Sequence, residues 1–308
     1  MSTAPLLPMP GPRFDRTVRA LALGIAVCGV AAASGAPLAG GPATSLACLM
    51  LLVCGLPHGT LDLELIKASG SDARLGLPGV LAIYLGCALA MFMLWQVAPV
   101  LALGAFILIA TVHFSEDWRG TGSALLELGL ALALLSAPTL RHRDDLDDIF
   151  VALTGRIEAS VVTDLLTLVV PVAMMIATVA IGVLWTSDRR TQAVAGALSV
   201  GSMIVFPPIV GFALFFCIFH SPHHLAGSLH AIAMTSRQAV VRIVLPLTLA
   251  AATIALGLYA IEARGNLASG LVAASFMTLS ILTAPHMIAP MLIARLQRRF
   301  IPRVMRPA

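Results

Sequence analysis

Apolar stretches recur along the whole chain, and most of them are long enough to cross a lipid bilayer. A membrane-spanning helix needs about 20 mostly apolar residues. Stretches of this kind occupy residues 17–34, 43–66, 77–97, 99–117, 121–139, 163–185, 191–206, 208–233, 239–262 and 267–294. Over the 308 residues, 59% are hydrophobic and 11% are charged, more apolar surface than a soluble domain can bury. The sequence therefore predicts a polytopic membrane protein.

The spanning segments are predicted to be helices. Backbone polar groups in lipid must be hydrogen-bonded within the protein, and the apolar stretches lack the period-two alternation of a membrane β-strand. We expect an all-α fold of about ten transmembrane helices around a buried histidine metal site. Residues 17–296 form a single transmembrane domain in this prediction. A proline-rich flexible tail, 1–16, precedes it, and a basic cytoplasmic tail, 297–308, follows it.

The positive charges indicate how the predicted helices cross the membrane. Cytoplasmic loops carry an excess of Lys and Arg. With ten spans and a cytoplasmic N-terminus, 15 of these residues fall inside and 4 outside. This distribution predicts a bacterial-type inner (cell) membrane protein with both termini in the cytoplasm. It also explains the formal charge of +4 without a nucleic-acid partner.

The longest predicted connection, 141–162, falls on the outer side of this topology. It carries Asp144, Asp145, Asp147 and Asp148. Such a run of charges is typical of a solvated face, and a lid over a site is the alternative.

Three histidines crowd into five residues of the eighth predicted span. His220 and His224 are four residues apart, so on an α-helix both side chains reach a single ion, whereas His223 is turned aside. A polar side chain at membrane depth is costly and usually faces a bundle interior. The segment therefore indicates an internal site, with a helix end in contact with headgroups or water as the alternative.

Histidines on three other predicted spans lie at the same depth as this pair. They are His58 in the second span, His113 in the fourth and His286 in the tenth. All four helices are predicted to run from outside to inside, and each histidine lies beyond the midpoint. One plane near the cytoplasmic leaflet can hold them all. Unrelated structural histidines would have no reason to agree in helix direction and depth.

A cluster of imidazoles favours iron, copper or zinc over magnesium or calcium, and it leaves positions open for dioxygen. Ligating histidines need the second ring nitrogen held by a carboxylate or carbonyl. Asp62 follows His58 by one helical turn, and Glu116 and Asp117 follow His113 by three and four residues. These three acids are candidate partners of the ligands, with ordinary charges at helix ends as the alternative.

Several other side chains are candidates for a supporting or pocket role. His223 and His286 are given such a role rather than that of a ligand. Phe114, Phe216 and Phe219 lie close in sequence to the predicted site. Aromatic residues in a helical bundle are usually core, and a lining for a long conjugated ligand is the alternative.

Four short motifs in this order resemble the bacteriorhodopsin-related-protein-like family of membrane beta-carotene 15,15'-dioxygenases. The motifs are His58-Gly59-x-x-Asp62, His113-Phe114-x-x-Asp117, Phe216-Cys217-x-x-His220-Ser221-x-x-His224 and Thr283-x-Pro285-His286. Ser115 and His223 depart from the family pattern, in which glycine and arginine are usual.

The resemblance implies an iron-dependent dioxygenase that cleaves the central double bond of beta-carotene, or of a related carotenoid, to give retinal. It implies Fe(II) as the cofactor, with His58, His113, His220 and His224 as catalytic metal ligands. The implied partners are the carotenoid, dioxygen, membrane lipid and a retinal-binding rhodopsin as acceptor of the product.

Two other functions share part of this histidine pattern. A membrane di-iron desaturase or hydroxylase shares the spacing of His220, His223 and His224, but it needs about eight histidine ligands in several boxes. A metal or proton transporter places histidines along a path and often shows repeat symmetry, which this sequence lacks.

Overall fold

A computed structural model describes residues 12–299 apart from 56, 58–59, 69–75, 233–236 and 263–266. The α-helices of this part are α1 (Pro12–Ala33), α2 (Gly41–Gly55), α3 (Asp62–Ala68), α4 (Gly76–Val97), α5 (Pro99–Ser115), α6 (Ala124–Ser136), α7 (Arg143–Thr154), α8 (Ser160–Thr186), α9 (Arg190–Val205), α10 (Pro208–Ala213), α11 (Ser221–Ala231), α12 (Arg237–Glu262) and α13 (Leu267–Arg299). Short 3₁₀ turns and one π-helix, Leu214–His220, complete them. The described residues form no strand, so the predicted all-α class is confirmed.

Six helical segments of the described chain are long and apolar enough to cross a membrane. They are Phe14–Ala33, Gly76–Val97, Pro99–Trp118, Ile157–Thr186, Pro208–Ala231 and Ser269–Ile293. Large apolar side chains on them, such as Leu23, Leu85 and Leu168, lie on the protein surface, where lipid rather than water suits them. The chain is an integral membrane protein. The count of ten crossings stays a prediction.

The second predicted span, 43–66, is not one continuous helix. Helix α2 ends at Gly55 and α3 begins at Asp62. Pro57 lies between them, and its carbonyl accepts hydrogen bonds from the backbone N–H and the hydroxyl of Thr60. Proline has no N–H to continue a helix, so the backbone turns here.

The predicted connection 141–162 is also different in the structure, because most of it is helical. Helix α7 occupies Arg143–Thr154, at 105° to the segment Ala124–Leu140. Its apolar residues recur at the spacing of an amphipathic helix, and one face packs against the bundle. The acidic run of this segment therefore lies on a helix and not in an irregular loop.

The predicted domain limits differ slightly at both ends. Helix α1 begins at Pro12, inside the predicted tail 1–16, because the proline suits a first helical turn. Helix α13 extends to Arg299, past the predicted limit at 296. Residues 1–11 and 300–308 of the two predicted tails lie outside the described residues.

Helix α13 is central to the bundle. It packs against α2, α4, α5, α7 and α12 and carries one of the candidate histidines. A hydrogen bond from the Trp95 indole to the Ser280 hydroxyl, 2.6 Å long, joins α4 to α13. The helix of the tenth predicted span is therefore the one around which these other helices pack.

Helices α6 and α8 are in close contact at Gly129. A Cβ atom added at Gly129 would overlap Cγ2 of Ile176 and lie 2.8 Å from its Cβ. We expect Gly129→Ala to lower the free energy of unfolding by about 1–3 kcal/mol, because overpacking forces the helices apart. Thermal unfolding of the detergent-solubilised protein measures the change. Gly182→Ala on α8 is the control, since nothing lies within 4 Å of its added Cβ. Equal midpoints for both variants would contradict the prediction.

Candidate metal centre

Four histidines from three parts of the chain meet inside the bundle. His113 lies near the end of α5, His220 ends the π-helix, and His224 lies in the first turn of α11. His286 follows Pro285 within α13. The predicted common depth of these four is thus matched by their meeting in space. His58 lies outside the described residues.

The π-helix sets the direction of His220. Pro222 cannot donate a backbone hydrogen bond, and its ring crowds the carbonyl four residues earlier. The widened turn relieves this crowding: the N–H of Ser221 donates to the carbonyl oxygen of Phe216, five residues back. The π-helix ends at His220 and helix α11 begins at Ser221, so His220 and His224 keep the four-residue spacing of an α-helical turn, with ring centroids 6.0 Å apart. The two rings therefore lie on one face, as their spacing predicts.

The imidazoles face one another across a small space. One nitrogen each from His113, His224 and His286 lies within 4.8 Å of the other two. The Nε2 atoms of His113 and His220 are 3.1 Å apart. Nitrogens bound to one ion at about 2.1 Å are separated by about 3.0–3.4 Å, so the group suits a metal after a small inward movement.

Burial supports a metal centre over a solvated histidine cluster. The side chains of His113 and His220 are 2% and 1% exposed. His286 has a side-chain exposure of 9%. Several charged imidazoles at this depth would repel one another and lose their hydration, whereas neutral rings present lone pairs to an ion. The donor set is chemically suited to iron, copper or zinc.

Two buried carboxylates orient two of the rings. The Nδ1–H of His220 donates to Oδ2 of Asp117 over 2.6 Å, and that of His286 donates to Oδ1 of Asp62 over 2.7 Å. With the proton on Nδ1, the Nε2 lone pair of each ring is directed away from its carboxylate. Asp62 and Asp117 therefore fix both the orientation and the tautomer of the rings.

The two candidate acids contact histidines that are distant in sequence. Helix α5 ends at Ser115, and Asp117 lies in the 3₁₀ turn that follows it, where its described hydrogen bond is to His220. Asp62 begins a separate helix and contacts His286. The predicted pairing of Asp62 with His58 lies outside the described residues.

Glu116 and His223 lie apart from the ring contacts of the cluster. Glu116 forms an ion pair with Arg119 and its side chain is 32% exposed. The ring of His223 packs against Phe14 at 4.9 Å and against Phe219 at 5.9 Å. The spacing-based prediction that His223 turns aside agrees with this placement. The supporting role of Glu116 stays a prediction.

A narrow cavity of about 20 Å³ opens beside His113 and His286. Phe114 and Phe216, both predicted as lining residues, are part of its wall. Helix α2 approaches this wall closely at Gly55, where an added Cβ would lie 2.5 Å from Leu279. An apolar ligand in this cavity would touch the imidazoles directly.

Phe219 is part of the packed core, the role that is usual for an aromatic residue in a helical bundle. Its ring is fully buried and stacks on Trp118 at a centroid distance of 5.6 Å. It also contacts Phe14 and His223, away from the cavity wall. Phe219 therefore packs the π-helix against Trp118 and Phe14.

Residues 49–292 match the profile of a protein family described as beta-carotene 15,15'-dioxygenase. The match covers most of the chain and includes all four clustered histidines. The chain belongs to the beta-carotene 15,15'-dioxygenase family. A protein of this name from the uncultured marine bacterium 66A03 is 28% identical over 196 residues, which are 58% of this chain and 68% of that protein. No solved structure matches the chain.

Family membership confirms the resemblance predicted from the four motifs. As a member of the beta-carotene 15,15'-dioxygenase family, the chain is a carotenoid-cleaving dioxygenase. The desaturase and transporter alternatives are set aside on this ground. In the structure His223, one of the three histidines of the spacing shared with the desaturases, packs against Phe14 and Phe219.

Two residues that the sequence did not single out hold the acids of this family member in place. The hydroxyl of Tyr84 on α4 donates to Oδ2 of Asp62 over 2.9 Å. The side-chain amide of Gln192 on α9 donates to the carbonyl oxygens of Asp117, at 2.7 Å, and Arg119, at 3.1 Å. Tyr84 lies in the middle of an apolar helix, where its hydroxyl needs a buried hydrogen-bond partner. The sequence could have indicated Tyr84 on this ground.

Replacing Tyr84 with phenylalanine should weaken the centre moderately. The change removes one hydrogen bond to Asp62 and keeps the ring, so Asp62 holds His286 less firmly. We expect metal affinity and turnover to fall roughly threefold to tenfold, less than the about 10- to 100-fold typical of a direct partner of a ligand. Tyr259→Phe, at the only other tyrosine, is the control. Unchanged metal affinity in Tyr84→Phe would refute the role.

Proposed function

We propose that this chain is an iron-dependent oxygenase that cleaves the central double bond of beta-carotene, or of a related carotenoid, to give retinal. The observation that carries the proposal is the group of His113, His224 and His286, with nitrogens within 4.8 Å of one another beside an apolar cavity. His220 joins the group through its 3.1 Å approach to His113. His58 stays a predicted ligand.

The proposed metal is Fe(II). Imidazole donors suit iron, copper and zinc, and zinc has no redox chemistry with which to activate dioxygen. Iron bound here supplies the activation of dioxygen that the spin-paired polyene cannot achieve alone. In this assignment His286 acts as a ligand, a stronger role than the supporting one predicted from the sequence.

The protein side chains hold the reactants and exclude water. Asp117 and Asp62 keep two imidazoles in the required tautomer. Phe114 and Phe216 form an apolar wall against which the middle of a polyene can lie. A dry site prevents hydrolysis and proton leakage during oxidation.

The overall reaction balances with one dioxygen for each carotenoid. The central double bond is broken, each of its two carbons becomes an aldehyde, and two molecules of retinal contain all the atoms. Substrate and product are both lipid-soluble, so we propose lateral entry from the bilayer. A retinal-binding rhodopsin is the proposed acceptor, and both termini are assigned to the cytoplasmic side of a bacterial-type inner membrane.

Expression in bacteria that accumulate beta-carotene tests the proposal. Chromatography of the extracted pigments should show loss of beta-carotene and formation of retinal. His224→Ala is the inactive control, and metal analysis of the purified protein should give about one iron per chain, the ratio of a mononuclear centre. Unchanged carotene with correctly inserted protein would refute beta-carotene as substrate, and two irons per chain would refute a single centre.

A further inference from the structure

A second cavity lies next to the metal centre, and we call it the apolar chamber. Its volume is about 70 Å³, and it is lined by residues of α5, α6, α7, α8, α9, α10 and α13 and of the 3₁₀ turn Ala137–Leu140. Its lining side chains are those of Leu, Ile, Phe, Met, Pro and Ala residues. It contains no histidine or acid among its lining residues, so metal chemistry does not explain it.

The apolar chamber and the cavity beside the histidines share one wall. Phe106, Ala110, Phe114 and Phe212 line both spaces. The phenylalanine rings of this wall can change rotamer without breaking hydrogen bonds, and Ala110 leaves a gap between them. A narrow apolar ligand can therefore extend from the histidines into the chamber.

The lining of the chamber extends over about half the thickness of the hydrocarbon core of a bilayer. Along α5 its lining extends from Leu103 to Phe114, next to His113. Eleven residues of α-helix measure about 16 Å, roughly half of the about 30 Å hydrocarbon core of a bilayer. A symmetric apolar rod with its middle at the histidines would place one half here.

Helix α7 closes the far side of the chamber. Leu146, Ile149 and Phe150 form one face that lines it. On the opposite face Asp144 and Asp148 are exposed, Asp144 with a side-chain exposure of 98%. These charges keep one face of α7 at the surface while its apolar face covers the chamber.

We propose that the apolar chamber holds one end of the carotenoid, and that α7 sets how far this end enters and hence which double bond lies at the histidines. The inference rests on the proposed carotenoid cleavage. A cavity of about 150 Å³ holds benzene, so a ring at the end of a polyene enters only as α7 and its side chains move outward. Leu146 and Ile149 are then specificity-determining residues.

Filling the chamber should discriminate between substrates of different length. Purified wild-type protein and Leu146→Trp are compared on beta-carotene and on an apocarotenal that keeps an end ring on one side only. The truncated end of the apocarotenal still fits a filled chamber. We expect the variant to turn over beta-carotene at least about tenfold more slowly and the apocarotenal less than about twofold more slowly, as for a pocket made too small.

Two further variants keep the test decisive. Ala152→Trp on the exposed side of α7 is the matched control and should keep the wild-type ratio of the two rates. Ile149→Phe is a smaller change within the chamber and should shift the same ratio in the same direction, even if Leu146→Trp does not fold. An unchanged ratio in the chamber variants would overturn the inference. Failure of the wild-type protein on both substrates would instead refute the proposed function.

Discussion

His113→Ala is expected to abolish iron binding and carotenoid cleavage. The ring of His113 contacts those of His220, His224 and His286, at centroid distances of 4.8, 5.4 and 4.9 Å. Its loss removes an imidazole that contacts the other three and leaves a void in a buried region. Turnover should fall by more than about 100-fold, beyond the usual effect of losing an outer partner of a ligand.

Metal content and pigment turnover of purified protein measure this effect. His223→Ala is the matched control, because its ring packs on Phe14 and Phe219 and should not affect iron content. The thermal unfolding midpoint of each variant separates a missing ligand from a damaged fold. Stoichiometric iron in His113→Ala would remove this residue from the proposed ligands, and iron loss in His223→Ala would revive the di-iron alternative.

Asp117→Asn should reduce activity by about 10- to 100-fold, with little change in the fold. The asparagine has nearly the same shape, but its amide group can donate to Nδ1 of His220 where the carboxylate only accepts. The ring then adopts the other tautomer, and its Nε2 carries a proton in place of a free lone pair. A wrong tautomer of this kind has large effects in other enzymes.

The neighbouring acid provides the control for Asp117. Glu116→Gln should lower turnover less than Asp117→Asn does, because the described hydrogen bond of Glu116 is to Arg119 and not to a ring of the cluster. Iron affinity and turnover of both variants are measured together. Equal losses in the two variants would favour the sequence-based role of Glu116 beside the ligands over the contacts of the structure.

The residue types of the site could be predicted from the sequence better than which acid contacts which histidine. Histidines in an apolar chain have few acceptable positions, so His113, His220, His224 and His286 could be grouped by depth alone. Their partners could not, because helical spacing identifies neighbours only within one unbroken helix. The hydrogen bond between Asp62 and His286 joins residues 224 positions apart.

Breaks in the helices account for most of the incorrect expectations. Pro57 interrupts the second predicted span, and Pro222 is accompanied by a π-helix. The apolar composition of these segments is the same whether the backbone is α-helical, π-helical or turned, so hydrophobic periodicity does not distinguish them. Helix α7 was missed for a related reason, since its charges mask an apolar face that only the packed bundle reveals.

Membrane crossing could be predicted for the long apolar segments and less well for the short ones. Helix α8, with 27 residues, agrees with the predicted span 163–185. Helix α9 has 16 residues, begins at Arg190 and is shorter than the about 20 residues that a membrane crossing needs.

Because of the π-helix, the orientation of His220 depends on the number of residues between Phe216 and Ser221. Each residue advances an α-helix by about 100°, so the extra residue of the wide turn rotates everything before it relative to everything after it. A deletion of one residue, such as Ile218, would restore a regular helix and turn His220 away from His113. Conservative substitutions in this segment change only packing, whereas a change in its length rotates His220 and His224 together relative to Phe216 and helix α10.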